Sequence, residues 1–234
     1  MFFLFLTALV FLSPIFLSKI YSKPTPNRIS IEKKDFGVFA TTKIEYPILT
    51  GFSDKEKENE TNENLQEIFV TSKRNMAGSW GQLDNEEETY ECSFVADQIN
   101  NIIVIKIDAW YYAHGTPHGW PISSTIFVDA QTARFYALKD LLKQEDDLEK
   151  LRLLIQRKYL NTKDEKEGFV DEIDSLEMAN LTLSSNGIIF TFDPGTIAAY
   201  SSGQVQFKLN WHEIDLLIDY ESSFFKSYFP NGLK

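Results

Sequence analysis

The spacing of apolar and polar positions separates an apolar start from a long series of short strands and helices. Residues 1–18 are apolar and carry no charge, whereas from about residue 29 the apolar side chains come in short runs that alternate with polar ones or are β-branched. Alternation with a period of two is the pattern of a half-buried strand. The pattern predicts strands in five segments, which are residues 36–49, 89–112, 123–138, 180–192 and 203–210.

Three of these segments contain turn residues near their middle, and each of the three is predicted to be a β-hairpin. The turns are expected at residues 97–101, at residues 129–132 and at Asn186–Gly187, the last being a strong short-range hairpin signal. The first segment is expected to stop at Pro47 and Gly51. In the last segment three apolar residues share one face, and they are Val205, Phe207 and Leu209.

Two longer segments repeat apolar residues at the spacing of an amphipathic helix. Residues 53–78 begin with Ser53, a residue suited to cap the helix, and their first turns are acidic. Their apolar stripe consists of Leu65, Ile68 and Phe69. The stripe of residues 139–161 consists of Leu141, Leu142, Leu148, Leu151, Leu154, Ile155 and Tyr159. Residues 164–178 are expected to be partly helical.

Residues 211–218 are predicted to form a closing helix, with Ile214, Leu217 and Ile218 facing inward. Hairpins dominate and strand–helix–strand repeats are missing, so the fold class is α+β, with an antiparallel sheet built from hairpins and two or three helices packed on it. One compact unit is expected, with an N-terminal half over residues 35–115 and a C-terminal half over residues 116–234.

The charge of the chain favours a basic partner. The formal net charge is -11, and the charged residues before position 29 are all basic, so the remainder carries 20 basic and 34 acidic side chains, a net charge of -14. This sign argues against nucleic acid as a ligand. The candidate partner surface is acidic and comprises Asp84, Glu86, Glu87, Glu88, Glu145, Asp146 and Asp147, with a third acidic run at residues 171–177. Any one of these runs is also explained as a solvated surface.

The usual catalytic and cofactor motifs are missing from the sequence. It has no G-x-S-x-G elbow, no phosphate-binding lysine loop, no dinucleotide-binding glycine fingerprint and no H-E-x-x-H. The single cysteine, Cys92, follows an acidic run that would raise the pKa of its thiol, so we expect a buried apolar residue and not a nucleophile. No cofactor is expected.

The segment "AWYYAHGTPHGWP", residues 109–121, holds two of the three histidines. His114 and His118 have the spacing of two metal ligands on one helical face. Glycine and proline at alternate positions oppose a helix here, and His212 or a carboxylate would have to complete the site, so we predict no metal site. An irregular connection rich in aromatic residues suits recognition. Its candidate binding residues are Tyr111, Tyr112, His114, His118 and Trp120.

Four segments follow one another in a recognisable order. They are "KIEYPILTGF" with "NENLQEIF", then "YYAHGTPHG", then "TIFVDAQTARFYALKDLLK", and last "IIFTFDPGTIAAYSSGQVQFKLNWHEI". Together they resemble the extracytoplasmic domain shared by RsiV-type anti-sigma factors and PdaC-type peptidoglycan deacetylases. The likeness covers about residues 43–214 and adds Tyr200 to the candidate binding residues. Pro117, Ala133 and Thr196 depart from the residues usual in that family.

The resemblance implies an exported cell-envelope protein that acts as a non-enzymatic binding or sensing module. In RsiV-type proteins the domain recognises lysozyme, and in PdaC-type enzymes a separate domain performs the deacetylation. The implied partner is therefore a cationic lysozyme-like protein or a peptidoglycan component. The alternative is a cell-wall-polymer hydrolase or deacetylase-related enzyme that uses His114 and His118, with Asp108 nearby.

The apolar start favours export. Residues 1–22 are expected to be a signal peptide or a membrane anchor, and residues 23–34 a spacer. A positively charged start and a clear cleavage site, which are usual in signal peptides, are both missing. The globular part is then periplasmic, extracellular or anchored on the outer side of the membrane.

Overall fold

The computed structural model describes residues 28–36, 42–80, 89–113, 115–163, 168 and 170–233, without the side chains of residues 36 and 71–80. The strands are β1 (Ser30–Phe36), β2 (Thr42–Thr50), β3 (Thr89–Ile99), β4 (Ile102–Tyr112), β5 (Trp120–Asp129), β6 (Phe135–Tyr136), β7 (Ala179–Ser184), β8 (Gly187–Phe192) and β9 (Val205–Asn210). The helices are α1 (Lys55–Trp80), α2 (Asp147–Thr162) and α3 (Ser223–Tyr228). The predicted α+β class is confirmed.

The strands form two sheets. The larger sheet has the order β1-β2-β3-β4-β5-β6 and the smaller one the order β7-β8-β9. Neighbouring strands are antiparallel except β2 and β3, which pair in parallel over residues 42–44. The parallel pairing is possible because α1 lies between β2 and β3 in the chain. The helix returns the chain to the end of the sheet at which β2 begins, so β3 runs in the same direction as β2. Among the described residues, no helix is both long enough and apolar enough to cross a bilayer.

Strand β4 lies between two hydrophobic clusters and contributes residues to both. Ile103 and Ile105 are fully buried on the side of α1, in the cluster that includes Leu65 and Phe69. Ile102 belongs to the other cluster, in which α2 packs with the smaller sheet. Alternate side chains of a strand point to opposite faces, so one strand contributes to both clusters. The two halves of the chain therefore share β4.

The three predicted hairpins are confirmed. β3 and β4 are joined at Asn100 and Asn101, β5 and β6 by residues 130–134, and β7 and β8 by residues 185–186. Asn100 has a φ of 55° and Ala133 a φ of 60°, so an alanine occupies the left-handed position that usually favours glycine. The β9 face is also confirmed, with Val205, Phe207 and Leu209 all buried.

The buried carboxylate of Asp129 fixes the β5–β6 turn. Its Oδ1 accepts hydrogen bonds from the backbone N–H groups of Gln131 and Thr132, at 2.9 and 2.8 Å. Its Oδ2 accepts one from the hydroxyl of Ser227 in α3, at 3.0 Å. The same side chain therefore closes the turn and holds α3 against it.

Of the two expected stops, Pro47 does not interrupt β2, which ends at Thr50, directly before Gly51. The N–H and C=O groups of Leu49 are bonded by the side chain of Asn62 in α1, at 2.8 and 2.9 Å. Backbone groups alternate in direction along a strand, so Pro47 also turns its backbone away from β1. The N–H group that proline lacks is not needed for the ladder there.

The cap of the first helix is Asp54, one residue later than the expected cap Ser53. The carboxylate of Asp54, and not the hydroxyl of Ser53, accepts the N–H groups of Glu56 and Lys57. Leu65 and Phe69 are fully buried as predicted, whereas Ile68 lies at the solvent-exposed margin of the stripe.

The second helix begins at Asp147, so the expectation of a helix from residue 139 is wrong over its first part. Residues Leu138–Leu141 form a 3₁₀ turn, and Leu142 is extended and bridges to Ile218. The fully buried residues of α2 are Leu151, Ile155 and Tyr159. Packing against the C-terminal segment thus overrides the helical spacing of the first two leucines.

The predicted closing helix at residues 211–218 is wrong. Only Trp211–Glu213 forms a 3₁₀ turn, although Ile214 and Ile218 are buried and Leu217 is half-buried. The chain is closed instead by α3, where the hydroxyl of Ser222 accepts the N–H of Phe225 at 3.1 Å. Within residues 170–178 the helical part is the 3₁₀ turn Leu176–Met178.

The expected leader over residues 1–22 lies outside the described residues. The expected spacer over residues 23–34 overlaps β1, whose residues 30–34 pair with residues 46–50 of β2.

Replacing Asn62 by alanine should destabilise the protein, because the N–H and C=O groups of Leu49 lose their partner. The expected decrease in the free energy of unfolding is about 1–3 kcal/mol, measured by urea denaturation. Glu63→Ala, at an exposed position next to it, is the control. Equal stability of the two variants would contradict this account of how α1 is held to β2.

Candidate functional site

The connection between β4 and β5 is an irregular turn, as predicted. The N–H of Thr116 donates to the carbonyl of Ala113 at 3.2 Å, and the Thr116 hydroxyl lies 2.7 Å from the same oxygen. The described residues of the segment, 115–121, contain no helix. His114 lies outside the described residues.

Three of the predicted binding residues meet at the start of β5. The ring of His118 stacks on that of Tyr200, with centroids 3.9 Å apart, and Trp120 meets both rings edge-on at 5.0 and 6.3 Å. Gly195, whose φ is 82°, lets the backbone approach the indole of Trp120, because a Cβ there would lie 3.0 Å from it. We call His118, Trp120 and Tyr200 the aromatic cluster.

A carboxylate joins β5 to the smaller sheet beside this cluster. Asp193, at the end of β8, accepts hydrogen bonds from the N–H and the hydroxyl of Ser123, both at 2.6 Å, and from the Gln204 amide at 3.1 Å. Further along β5, the hydroxyl of Thr125 donates to the side-chain oxygen of Asn180 in β7. These bonds lie on the side of β5 that has no strand partner before Phe127 among the described residues.

Two cavities lie along this side of β5. The first, of about 460 Å³, runs from Trp120 to the 3₁₀ turn Leu176–Met178 and the Asp193–Pro194 turn. The second, of about 400 Å³, lies under the same 3₁₀ turn between β5, β6 and β7. Ser124 and Glu177 line both. We call the two cavities together the β5 groove.

Glu177 is the acidic residue common to both parts of the groove. It is exposed, and its carboxylate takes part in no ion pair among the described residues. Its N–H group is bonded to the hydroxyl of Ser175 at 3.0 Å, which fixes the start of the turn. A cationic group in the groove would therefore find an available carboxylate at its centre.

A third cleft, of about 360 Å³, lies on the outer face of the larger sheet and includes Asp108 and Trp110. Its Glu45 forms ion pairs with Lys33 and Lys43, whose ammonium groups hold the pKa of that carboxyl below its ordinary value.

Burial raises the pKa of the Cys92 thiol to about 11, so the expectation of an unreactive, buried cysteine is supported. Within the described residues, no group of three or more potential ligands could hold a metal ion.

The structure separates the predicted binding residues. His118, Trp120 and Tyr200 are brought together and are half-buried. Tyr111 is buried in the core cluster that includes α1, and it also borders the first cavity of the β5 groove. Tyr112 is half-buried at the end of β4. The sequence pattern at the end of β4 did not reveal which of the two tyrosines points inward.

The predicted acidic surface is only partly described. Glu145 and Asp146 are exposed, while Asp84 and Glu86–Glu88 lie outside the described residues. Asp147 is buried and is not part of a partner surface, because its carboxylate accepts the N–H of Gln144 and pairs with Lys150. An acidic residue at the start of a helix commonly accepts backbone N–H groups of its own chain and is stabilised by the helix dipole.

Asp193 is the residue of this site that the sequence pattern did not single out, and Glu177 was noticed only as the end of an acidic run. The signal for Asp193 was its place between a strand and Pro194–Gly195, where an aspartate often organises a turn. Its main partner, Ser123, is 70 positions away in the sequence, so no local pattern indicates their contact.

The C-terminal half of the chain is similar to a known family. Residues 139–212 match the family model described as "Protein of unknown function (DUF3298)". The matched segment contains α2, the smaller sheet and the groove residues Glu177, Asp193 and Tyr200. A search of the curated proteins finds no match to the sequence.

Two solved structures match this chain. One is a member of the DUF3298 family from Bacteroides fragilis, with 14% sequence identity, a TM-score of 0.54, and coverage of 83% of this chain and 95% of that one. The other is a DUF3298 family protein from Pseudomonas aeruginosa, with 14% identity, a TM-score of 0.48, and coverage of 84% and 95%. At this identity the likeness to the Bacteroides fragilis protein shows the fold alone.

Replacing Asp193 by alanine should loosen the contact between the two sheets, because three donors lose their acceptor. The expected loss in the free energy of unfolding is about 1–3 kcal/mol, measured by urea denaturation. Asp174→Ala removes an exposed carboxylate near the groove and should leave stability unchanged. If the two variants unfold at the same urea concentration, the bonds of Asp193 do not hold the sheets together.

Proposed function

We propose that the described unit is a non-enzymatic binding module that recognises a basic protein. The observation that carries this proposal is that His118, Trp120 and Tyr200 meet beside a cavity of about 460 Å³. Glu177, at the rim of this cavity, forms no ion pair with any described residue. Half-buried aromatic residues at the edge of a cavity are typical of the energetically dominant part of a protein interface.

The net charge supports a basic partner over a neutral or acidic one. Residues 29–234 carry a net charge of -14, which would speed the approach of a cationic protein and slow that of a polyanion. Long-range attraction of this kind weakens as salt is added, whereas contacts at the aromatic cluster would not. The two contributions can therefore be separated experimentally.

The contacts of His118 give no support to the enzymatic alternative. In the described part of the chain, the His118 ring faces Tyr200 and Trp120, and its Nδ1 lies 3.1 Å from the carbonyl of Gly119. A general base would need a carboxylate or a second histidine to orient it. The binding module is therefore the better explanation of this cluster.

Cationic lysozyme is the probe that the sequence resemblance suggests. We expect the full chain to bind it with micromolar or tighter affinity, measured by calorimetry at low salt and at about 150 mM salt. Tyr200→Ala should weaken binding about tenfold at the higher salt, because it removes one face of the aromatic cluster. Tyr220→Ala, a half-buried tyrosine outside the groove, is the matched control.

Binding that disappears at about 150 mM salt would mean that charge alone attracts lysozyme. Equal affinities of the Tyr200→Ala and Tyr220→Ala variants would place the contact elsewhere on the molecule. No binding at either salt would remove lysozyme as the partner.

We also propose that the module acts outside the cytoplasmic membrane. The support is the uncharged apolar run of residues 1–18, followed by the basic residues Lys19 and Lys23. Expressed with its own N-terminus in a bacterium, the chain should become accessible to protease added to spheroplasts. A variant with Leu9→Arg and Phe11→Arg should stay protected. Protection of both chains would reject export.

A further inference from the structure

We propose that the 400 Å³ cavity of the β5 groove is an anchor pocket, which takes one aliphatic side chain of a basic polypeptide while a neighbouring lysine or arginine of that polypeptide pairs with Glu177. This inference rests on the proposed function and specifies the chemistry of the partner at one point.

The cavity results from the way in which the two sheets meet. β6 is only two residues long, so β5 lacks a strand partner between Trp120 and Ile126 on that side within the described residues. β7 belongs to the other sheet and reaches β5 through the side chain of Asn180. The 3₁₀ turn Leu176–Met178 covers the space that remains between β5 and β7. The pocket is thus part of the architecture.

The inner wall of the pocket is apolar. Phe127 and Phe190 come from the two sheets and are almost completely buried in the large core cluster. Leu176 and Leu181 complete the wall and are 7% and 9% exposed. An aliphatic side chain placed there would exchange water for hydrocarbon contacts on several sides.

The rim of the pocket is polar and exposed. Ser124, Lys139 and Glu177 are exposed residues that line the opening. Since the pocket has an apolar interior and an opening at the surface, it suits a side chain presented by another molecule.

At the opening, the carboxylate of Glu177 is available to a cation that lies next to the apolar group. Of the acidic residues before Glu177 in the same run, Asp171 pairs with Lys163 and Glu172 with Arg152. Asp174 is exposed and does not line the pocket. The carboxylate of Glu177 has no such partner among the described residues, and the whole chain has a net charge of -11. Lys139 is also unpaired there, and it can approach backbone carbonyl groups of the bound segment.

The test uses three blocked dipeptides as probes: N-acetyl-leucyl-lysine amide, N-acetyl-leucyl-glutamate amide and N-acetyl-glycyl-lysine amide. Each is titrated into the full chain with ¹³C-labelled leucine methyl groups, and the shifts of the Leu176 and Leu181 methyl signals are followed by NMR. The leucyl-lysine probe should move both signals in a saturable way and bind about tenfold more tightly than either of the others.

Three variants locate the probe. Ser124→Phe places a ring over the opening from an exposed position and should abolish the shifts. Glu177→Gln should reduce the affinity for the leucyl-lysine probe about tenfold, to that for the leucyl-glutamate probe. Asp174→Asn, which removes a nearby exposed carboxylate that does not line the pocket, is the control and should bind like the unmodified chain.

The proposal is overturned if the leucyl-lysine probe leaves the two methyl signals in place, if Ser124→Phe does not reduce binding, or if Glu177→Gln and Asp174→Asn behave alike. Its outcome is distinguishable from that of the lysozyme experiment. Probe binding without lysozyme binding would retain the pocket and reject that partner. Lysozyme binding that Ser124→Phe leaves unchanged would retain the binding module and reject the pocket.

Discussion

Strand β5 lies where the two sheets of this protein meet, and most of one side of it has no strand to pair with in the described residues. An unpaired strand edge exposes backbone donors and acceptors that invite association with other chains. Here the smaller sheet supplies side chains in place of a strand. Asp193 accepts hydrogen bonds from the N–H and the hydroxyl of Ser123, and Asn180 accepts one from the hydroxyl of Thr125. Side chains at intervals hold the sheets together but cannot fill the space as a strand would.

The β5 groove exists because side chains, and not a strand, contact this edge of β5. Where a strand would lie, two cavities remain, and the short turn Leu176–Met178 separates and partly covers them. The residues that close the edge of β5 and the residues that could bind a partner therefore belong to the same few segments. A change that tightened the sheet contact, such as a longer β6, would also remove the proposed anchor pocket. Stability and the proposed binding would therefore compete for this edge, as they commonly do at functional sites.

The sequence predicted features that depend on neighbours along the chain and missed those that depend on distant ones. The hairpins followed from alternation and turn residues, and α1 and most of α2 from apolar stripes. The continuation of β2 past Pro47 was missed because the side chain of Asn62, in a helix, bonds the backbone of Leu49. The start of α2 was missed because Leu142 bridges to Ile218. At the site, His118 and Trp120 were identifiable by composition alone, whereas Asp193 became visible only through Ser123.

Counting acidic residues overstates the charge that a partner would meet. Glu58 accepts the N–H groups of Gly51 and Phe52 and pairs with Lys55, and Asp147 serves the start of α2 in a similar way. Such carboxylates contribute to the field around the protein, but their hydrogen bonds are already made. A partner can form new short-range contacts only with carboxylates that have no partner inside the protein. Glu177 has no ion pair in the described part of the chain, and it also borders a cavity. The net charge would thus govern how fast a basic partner arrives, whereas single carboxylates such as Glu177 would govern how it is oriented.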